Sequence, residues 1–293
     1  MKECFSGIEE FGTNVYSQSG EDGVIQKILE IIPDPDKWCV EFGAWDGRHL
    51  SNTRNLIEKK NYNAIFIEGD KKRFDVLRMN YSQNKNVFAF NEFVGFSKDK
   101  NLDNILEKTK IPVNFDLLSI DIDGNDYYTW EAMSRYKPKL VCIEYNPTIP
   151  NEVRFVQKPD ITVNQGSSLL SLFELGKSKG YELIVALRNN AFFISSEYFP
   201  LFQIKDNRPE VLRKDMSNIT YLFSGYDGKI ILQGGMHLPC HDLKLTNNQF
   251  QVLPGFLRKY PGNYNKIESI MYKLFITYRR LITKLISAFS RSE

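Results

Sequence analysis

The stretch Trp38-Cys-Val-Glu-Phe-Gly-Ala-Trp-Asp-Gly47 decides the fold of this 293-residue chain. Its first half predicts a strand buried on both faces, which is typical of parallel sheets. Gly43 and Gly47 predict a turn in which the backbone comes close to a ligand, ahead of a helix whose first N–H groups are free. The pattern Glu-x-Gly-x-x-x-Gly differs from the dinucleotide-binding Gly-x-Gly-x-x-Gly, and a purely structural glycine turn explains it equally well.

Outward from this stretch, strand-like runs alternate with helical patterns between residues 20 and 200. The predicted parallel strands are 38–42, 64–68, 87–90, 115–121 and 140–144, and the helices after them are 51–60, 71–81, 102–108, 127–136 and 167–179. Two closely spaced runs, 181–187 and 191–195, predict a terminal antiparallel hairpin. We therefore expect an α/β fold with a doubly wound, seven-stranded and mostly parallel sheet.

Charge and glycine content change beyond residue 200. We expect a main domain over residues 1–200 and a mixed, loop-rich appendage over 201–265. Residues 266–293 hold six basic and two acidic residues, a charge of +4; since the whole chain carries +2, the remainder carries −2. A slightly acidic body with a basic tail excludes a general nucleic-acid binder, whose positive charge covers a face of the folded domain.

The tail from residue 266 onward has the pattern of a basic amphipathic helix. Its apolar residues recur at intervals of three and four: Ile267, Met271, Leu274, Tyr278, Leu281, Leu285 and Phe289. Such a helix either packs on the body or lies in an anionic membrane surface, and the basic residues favour the membrane. We expect a peripheral membrane contact through residues 266–293.

The four cysteines, Cys4, Cys39, Cys142 and Cys240, lie far apart in the sequence. Without a Cys-x-x-Cys pair they predict buried, reduced thiols of a cytoplasmic protein. No uncharged apolar run reaches ~18 residues, and acidic residues near the N-terminus argue against a secretion signal. The predicted location is the cytoplasm, with the tail at the inner face of the membrane.

A carboxylate ends the second predicted strand, where Glu68 follows Gly43 by 25 residues. An acid at this point can accept hydrogen bonds from both hydroxyls of a ribose, as in dinucleotide-binding folds. The alternative is a solvated carboxylate at the end of a strand.

Oxygen-bearing side chains lie at the carboxyl ends of the fourth and fifth predicted strands. Asp121 and Asp123 lie two residues apart and thus share a face of the strand end, while Glu144 and Asn146 lie at the end of the fifth strand. All-oxygen ligands suit Mg²⁺ or Mn²⁺, so we expect a metal site at this edge. Alternatively, Asp123 or Asn125 only caps the next helix.

Together these segments resemble class I S-adenosylmethionine-dependent methyltransferases of the FkbM type, in a little-characterised bacterial subset. The resemblance covers residues 14–197 and implies the strand order 3-2-1-4-5-7-6. Its motifs are YSQSGED (16–22), VEFGAWDG (40–47), FIEGD (66–70), LLSIDIDGNDYY (117–128), IEYNPTIP (143–150) and GSSLLSLFELGKSKGYEL (166–183).

The resemblance implies that Gly43 and Glu68 bind S-adenosylmethionine and that Asp121 lies near the site of methyl transfer. Further candidates for cofactor binding are Glu41, Gly47, Asp121 and Gln18. The chain also resembles metal-dependent O-methyltransferases, but Glu144 and Asn146 replace their Asp-Asp or Asp-Asn pair.

The predicted function is O-methylation of a sugar hydroxyl or a related precursor in bacterial surface-glycan synthesis, with a small molecule or a glycan as acceptor. The acceptor proton leaves either because a metal on Asp121 and Glu144 lowers the hydroxyl pKa, or because His49 or a nearby aspartate is the general base. One alternative is a glycosyltransferase in which Asp121 and Asp123 form a metal-binding Asp-x-Asp. Another is a non-catalytic scaffold at the membrane surface.

Overall fold

The computed structural model describes the backbone of residues 7–289 and the side chains of residues 7–284. The chain forms two compact units, Met1–Met216 and Ser217–Glu293. The first unit therefore includes residues 201–216, which the sequence predicts as part of the appendage. Within the described residues, every helix is too short or too polar to cross a bilayer.

A seven-stranded sheet forms the centre of the first unit. Its strands are β1 (Trp38–Phe42), β2 (Asn63–Ile67), β3 (Val87–Phe90), β4 (Leu117–Ile120), β5 (Leu140–Glu144), β6 (Tyr181–Ala186) and β7 (Asn190–Ser195). The order is β3-β2-β1-β4-β5-β7-β6, with the first five strands parallel and β7 antiparallel to both of its neighbours. This confirms the strand order predicted from the sequence.

Helices cover both faces of this sheet. They are α1 (Glu21–Ile31), α2 (Arg54–Lys60), α3 (Lys71–Asn80), α4 (Leu102–Leu106), α5 (Asp126–Ala132), α6 (Leu169–Ser178) and α7 (Pro209–Leu212). Successive strand residues point to opposite faces: Val40 and Phe42 join the core formed with α4, α5 and α6, whereas Cys39 joins the core formed with α1, α2 and α3. The doubly wound arrangement is thus confirmed.

Helix α5 ends at Ala132, four residues before the predicted end. The reason is the buried carboxylate of Asp103, which accepts hydrogen bonds from the backbone N–H groups of Ser134, Arg135 and Tyr136. These three groups would otherwise bond back into the helix, so a side chain distant in sequence terminates it.

The second unit contains two small antiparallel ladders and one long helix. Its elements are β8 (Thr220–Ser224), β9 (Ile230–Gly234), β10 (His237–Leu238), β11 (Leu243–Lys244) and α8 (Lys266–Phe289). Strand β8 pairs with β9, and β10 pairs with β11. The side chains of Leu285 and Phe289, predicted to continue the apolar stripe of the tail, lie outside the described residues.

The cysteines follow the prediction only in part. Cys39 and Cys142 are buried free thiols, and burial raises the pKa of both. Cys240 is exposed, contrary to the prediction, because it lies in the turn between β10 and β11. Cys4 lies outside the described residues.

Candidate active site

The turn after β1 lies against the end of β4. Gly43 has a φ of 74°, and a Cβ added there would overlap the carbonyl oxygen of Asp121. Gly47 has a φ of 71°, and its Cβ would lie 2.7 Å from the ring of Tyr81. Both positions therefore need glycine. The groups that come so close to them belong to the protein and not to a ligand: the carbonyl of Asp121 at Gly43 and the ring of Tyr81 at Gly47.

Glu41 lies beneath this turn and has only 7% of its surface exposed. Its carboxylate accepts hydrogen bonds from the hydroxyls of Ser51 and Thr53, both at 2.6 Å, and from the backbone N–H of Asn52 at 3.0 Å. Burial raises the pKa of Glu41, and these hydrogen bonds oppose the rise. Glu41 thus holds the loop before α2 in place through these three hydrogen bonds.

Glu68 stands at the carboxyl end of β2 and connects two segments of the site. One carboxylate oxygen accepts the backbone N–H of Trp45 at 2.8 Å, and the other accepts that of Asp70 at 2.7 Å. The first bond holds the glycine turn, and the second holds the start of α3. Each carboxylate oxygen has two acceptor positions, so these two bonds leave one position on each oxygen of Glu68, which is 6% exposed.

A cavity of about 510 Å³ begins beside Glu68. Gly69, Asn91 and Phe93 line one side of it, and residues of the segment 99–108 line the other. The amide of Asn91 donates to the carbonyls of Glu68 and Gly69. The ring of Phe93 is 81% exposed and lies against Gly69 so closely that a Cβ there would overlap it. No sequence motif predicted this side of the cavity.

Three carboxylates meet at the ends of β4 and β5. Asp121, Asp123 and Glu144 each offer an oxygen atom, and these atoms all lie within 4.8 Å of one another. Burial and the neighbouring carboxylates, chiefly Asp126 and Asp123, raise the pKa of Asp121 to about 8. No other group of three or more His, Cys, Asp or Glu ligands comes this close in the described part of the chain.

Asp126, which was not among the predicted site residues, closes the loop between β4 and α5. Its two oxygens accept the backbone N–H groups of Ile122 and Gly124, at 3.0 and 2.9 Å. Burial raises the pKa of Asp126 to about 6. Asp123 adopts a left-handed φ of 57°, and neither its side chain nor that of Asn125 caps α5.

The side chain of Asn146 forms hydrogen bonds within the segment that follows β5. Its Oδ1 accepts hydrogen bonds from the N–H and the hydroxyl of Thr148, and its amide donates to the carbonyl of Gln165. A metal ion at Asn146 Oδ1 would have to displace both bonds from Thr148. The cluster of Asp121, Asp123 and Glu144 is therefore better suited to hold a cation.

No protein-family model and no curated protein matches this chain. Similar solved structures include a SAM-dependent methyltransferase from Aquifex aeolicus, with 12% identity over 58% of this chain and 89% of that chain and a TM-score of 0.35. The N-terminal domain of EvdMO1 with SAH bound has 11% identity over 61% and 82% and a TM-score of 0.39. A TehB-like SAM-dependent methyltransferase from Corynebacterium glutamicum has 12% identity over 63% and 90% and a TM-score of 0.36.

His49 and Gln18 are both exposed. The backbone N–H of His49 donates to Asp46, and its ring centroid lies 5.6 Å from that of Trp45. Gln18 belongs to a loop that Asp22 holds by accepting backbone N–H groups at residues 15–17. No hydrogen bond in the described structure joins His49 or Gln18 to the carboxylate cluster. Their predicted roles rest on the sequence alone.

Proposed function

We propose that this chain is an S-adenosylmethionine-dependent O-methyltransferase. The observation that carries the proposal is the convergence of three features at one edge of the sheet. Gly43 follows β1, Glu68 follows β2, and Asp121 follows β4, and these three strands are adjacent in the sheet. Open parallel sheets bind ligands at the carboxyl ends of their strands, at the point where the order of the strands reverses. In this sheet that point lies between β1 and β4.

The residues of this edge fit the proposed cofactor. Glu68 has acceptor positions left on both oxygens for the two ribose hydroxyls. The cavity beside Gly69 offers space for the adenine base next to the ring of Phe93. The carboxylates around Asp121 favour the positive charge of the sulfonium. When bound, S-adenosylmethionine supplies a methyl group activated by that charged sulfur.

The chain itself must align the acceptor and remove its proton. Alignment of two reactants in one site lowers a barrier by about 7–11 kcal/mol. Asp121 has a pKa raised to about 8, so it suits the role of general base near neutral pH better than an unperturbed aspartate. His49 is the alternative general base, and it is the weaker candidate because it is exposed.

A divalent cation fits the same cluster. Asp121, Asp123 and Glu144 would hold Mg²⁺ or Mn²⁺, because hard cations prefer carboxylate oxygens and three carboxylates this close repel one another. Such an ion would lower the pKa of an acceptor hydroxyl. We further propose a sugar hydroxyl or a related precursor of a bacterial surface glycan as the acceptor, which follows from the FkbM-type resemblance of residues 14–197.

Calorimetric titration with S-adenosylmethionine and S-adenosylhomocysteine tests the cofactor. Wild type should bind both, and Glu68→Gln should bind each at least about tenfold more weakly, because one of the two diol acceptors is replaced by an amide. Glu152→Gln removes an exposed carboxylate elsewhere and should leave binding unchanged. Absence of heat with wild type would overturn the proposal. Unchanged circular dichroism of Glu68→Gln checks that weaker binding does not arise from misfolding.

The glycosyltransferase alternative uses the same carboxylates but not Glu68. A parallel titration with nucleotide sugars and Mn²⁺ distinguishes the two functions. Binding of a nucleotide sugar alone, lost in Asp123→Asn but kept in Glu68→Gln, would favour that alternative.

A further inference from the structure

Helix α8 presents a continuous stripe of large apolar side chains to solvent. The stripe consists of Ile267, Ile270, Met271, Leu274, Tyr278 and Leu281, whose exposed fractions range from 42% to 69%. Their spacing of one, three and four residues places all six on one face of a helix with 3.6 residues per turn. A contiguous exposed apolar face of this kind marks an interaction surface.

The opposite side of α8 already has partners within the second unit. Tyr272 contacts the ring of Tyr264 with a centroid distance of 5.5 Å. Glu268 accepts the backbone N–H of Asn265 and pairs with Lys259. Phe275 is half-buried on the same side. The half-buried side of the helix is thus distinct from its apolar stripe, and that stripe remains available for a partner.

A basic stripe runs along one edge of the apolar stripe. It consists of Lys266, Lys273, Arg280 and Lys284, which follow one another at intervals of seven, seven and four residues and are all exposed. Glu268, the one acidic residue in positions 266–284, is engaged with Lys259 on the half-buried side. The exposed surface of α8 is therefore apolar and positive, without a compensating carboxylate of its own.

We propose that this face of α8 docks on an anionic lipid surface. The apolar stripe would enter the boundary between headgroups and acyl chains, while the basic stripe contacts the negative headgroups. Charge complementarity favours lipid over a second copy of this chain, because a second copy would bring the same positive stripe to the contact. The helix would lie along the surface, since it is too polar to cross a bilayer.

Co-sedimentation of the full-length chain with vesicles tests the proposal. One vesicle set is pure phosphatidylcholine, and the other contains phosphatidylglycerol mixed with phosphatidylcholine. We expect sedimentation with the anionic vesicles only, and a loss of binding at high salt because the headgroup contacts are screened.

Two pairs of substitutions separate the apolar from the electrostatic contribution. Met271→Gln with Leu274→Gln should weaken binding to anionic vesicles by at least about tenfold, because two inserted side chains become polar. Lys273→Gln with Arg280→Gln should also weaken it by about tenfold and reduce its salt dependence, because two of the four residues of the basic stripe are lost.

Matched controls lie on helices of the first unit. Val76→Gln with Met79→Gln removes two exposed apolar side chains from α3, and Lys59→Gln with Lys60→Gln removes two exposed charges from α2. Both should bind vesicles like wild type. Unchanged circular dichroism and unchanged binding of S-adenosylmethionine would show that the α8 variants are folded and keep the proposed cofactor site.

Three results would overturn the proposal. The first is no sedimentation of wild type with anionic vesicles at low salt, and the second is equal binding by wild type and the Met271/Leu274 variant. The third is a wild-type dimer in solution that this variant dissociates, with no vesicle binding, which would assign the stripe to self-association. None of these results depends on whether the first unit binds S-adenosylmethionine.

Discussion

Strands β5 and β8 are both five-residue apolar runs, Leu-Val-Cys-Ile-Glu and Thr-Tyr-Leu-Phe-Ser, yet they have opposite environments. Leu140–Ile143 are fully buried in the first unit, whereas Tyr221–Phe223 of the second unit are about half exposed. Strand β5 lies between β4 and β7 with helices on both faces, while β8 pairs with β9 alone. An apolar run therefore stabilises the fold only where other elements cover it, and elsewhere it is surface.

The largest expected difference between the units is catalytic. Asp121→Asn should lower methyl transfer at least about a hundredfold, because it removes the proposed base and one carboxylate of the cluster. Asp242→Asn, an exposed aspartate of the second unit, should leave the rate unchanged. The rate would be measured as S-adenosylhomocysteine formed with an accepted sugar, and equal rates for both variants would contradict a catalytic site at Asp121.

A matched pair of glycines provides the next test. Gly43 and Gly228 have nearly the same φ, 74° and 76°, so alanine strains both backbones by about 1–2 kcal/mol. At Gly43 the added Cβ also meets the backbone carbonyl of Asp121, whereas at Gly228 it meets the flexible end of Leu253. Gly43→Ala should therefore lower the free energy of unfolding by about 4 kcal/mol or more, and Gly228→Ala by about 1–2 kcal/mol. Urea denaturation measures both, and equal losses would mean that the contact with Asp121 has no energetic consequence.

Two leucines compare β5 and β8 directly. Leu140→Ala should lower the free energy of unfolding of the first unit by about 2–5 kcal/mol, since its side chain is fully buried. Leu222→Ala, 57% exposed in β8, should change stability by no more than about 0.5 kcal/mol. A large loss in Leu222→Ala would show that β8 is covered in solution.

The smallest expected effect is a pH dependence confined to the first unit. Asp121 has a pKa of about 8 in the folded chain against 3.8 ordinarily, so its contribution to stability is present below about pH 4 and lost as pH rises to 8. Asp121→Asn removes this loss, so the variant should gain stability on wild type as the pH rises from 4 to 8. Thermal unfolding of both proteins at the two pH values measures it, and parallel profiles would contradict the shift. Adding Mn²⁺ should stabilise wild type more than the variant.

The fold was predictable from the sequence because its signals are local. Near-continuous apolar runs predicted the strands β1, β3 and β5 to the residue, and the close spacing of the runs 181–187 and 191–195 predicted the reversal between β6 and β7. The convergence of Asp121, Asp123 and Glu144 was also predictable, because parallel strands end at the same edge. The end of α5 was not, since it depends on Asp103 in a distant helix.

By itself, then, the sequence determined the order of strands and helices and the edge at which polar residues gather, because periodicity and turn residues act over a few positions. Only the tertiary structure decided how individual side chains are used. Gly43 is needed because the carbonyl of Asp121 lies against it, and Asn146 is engaged with Thr148. It also decided that the apolar stripe of α8 is exposed and not covered by the other elements that the structure describes. Each of these outcomes depends on which groups meet in space, and pairing between distant segments leaves no periodic trace in the chain.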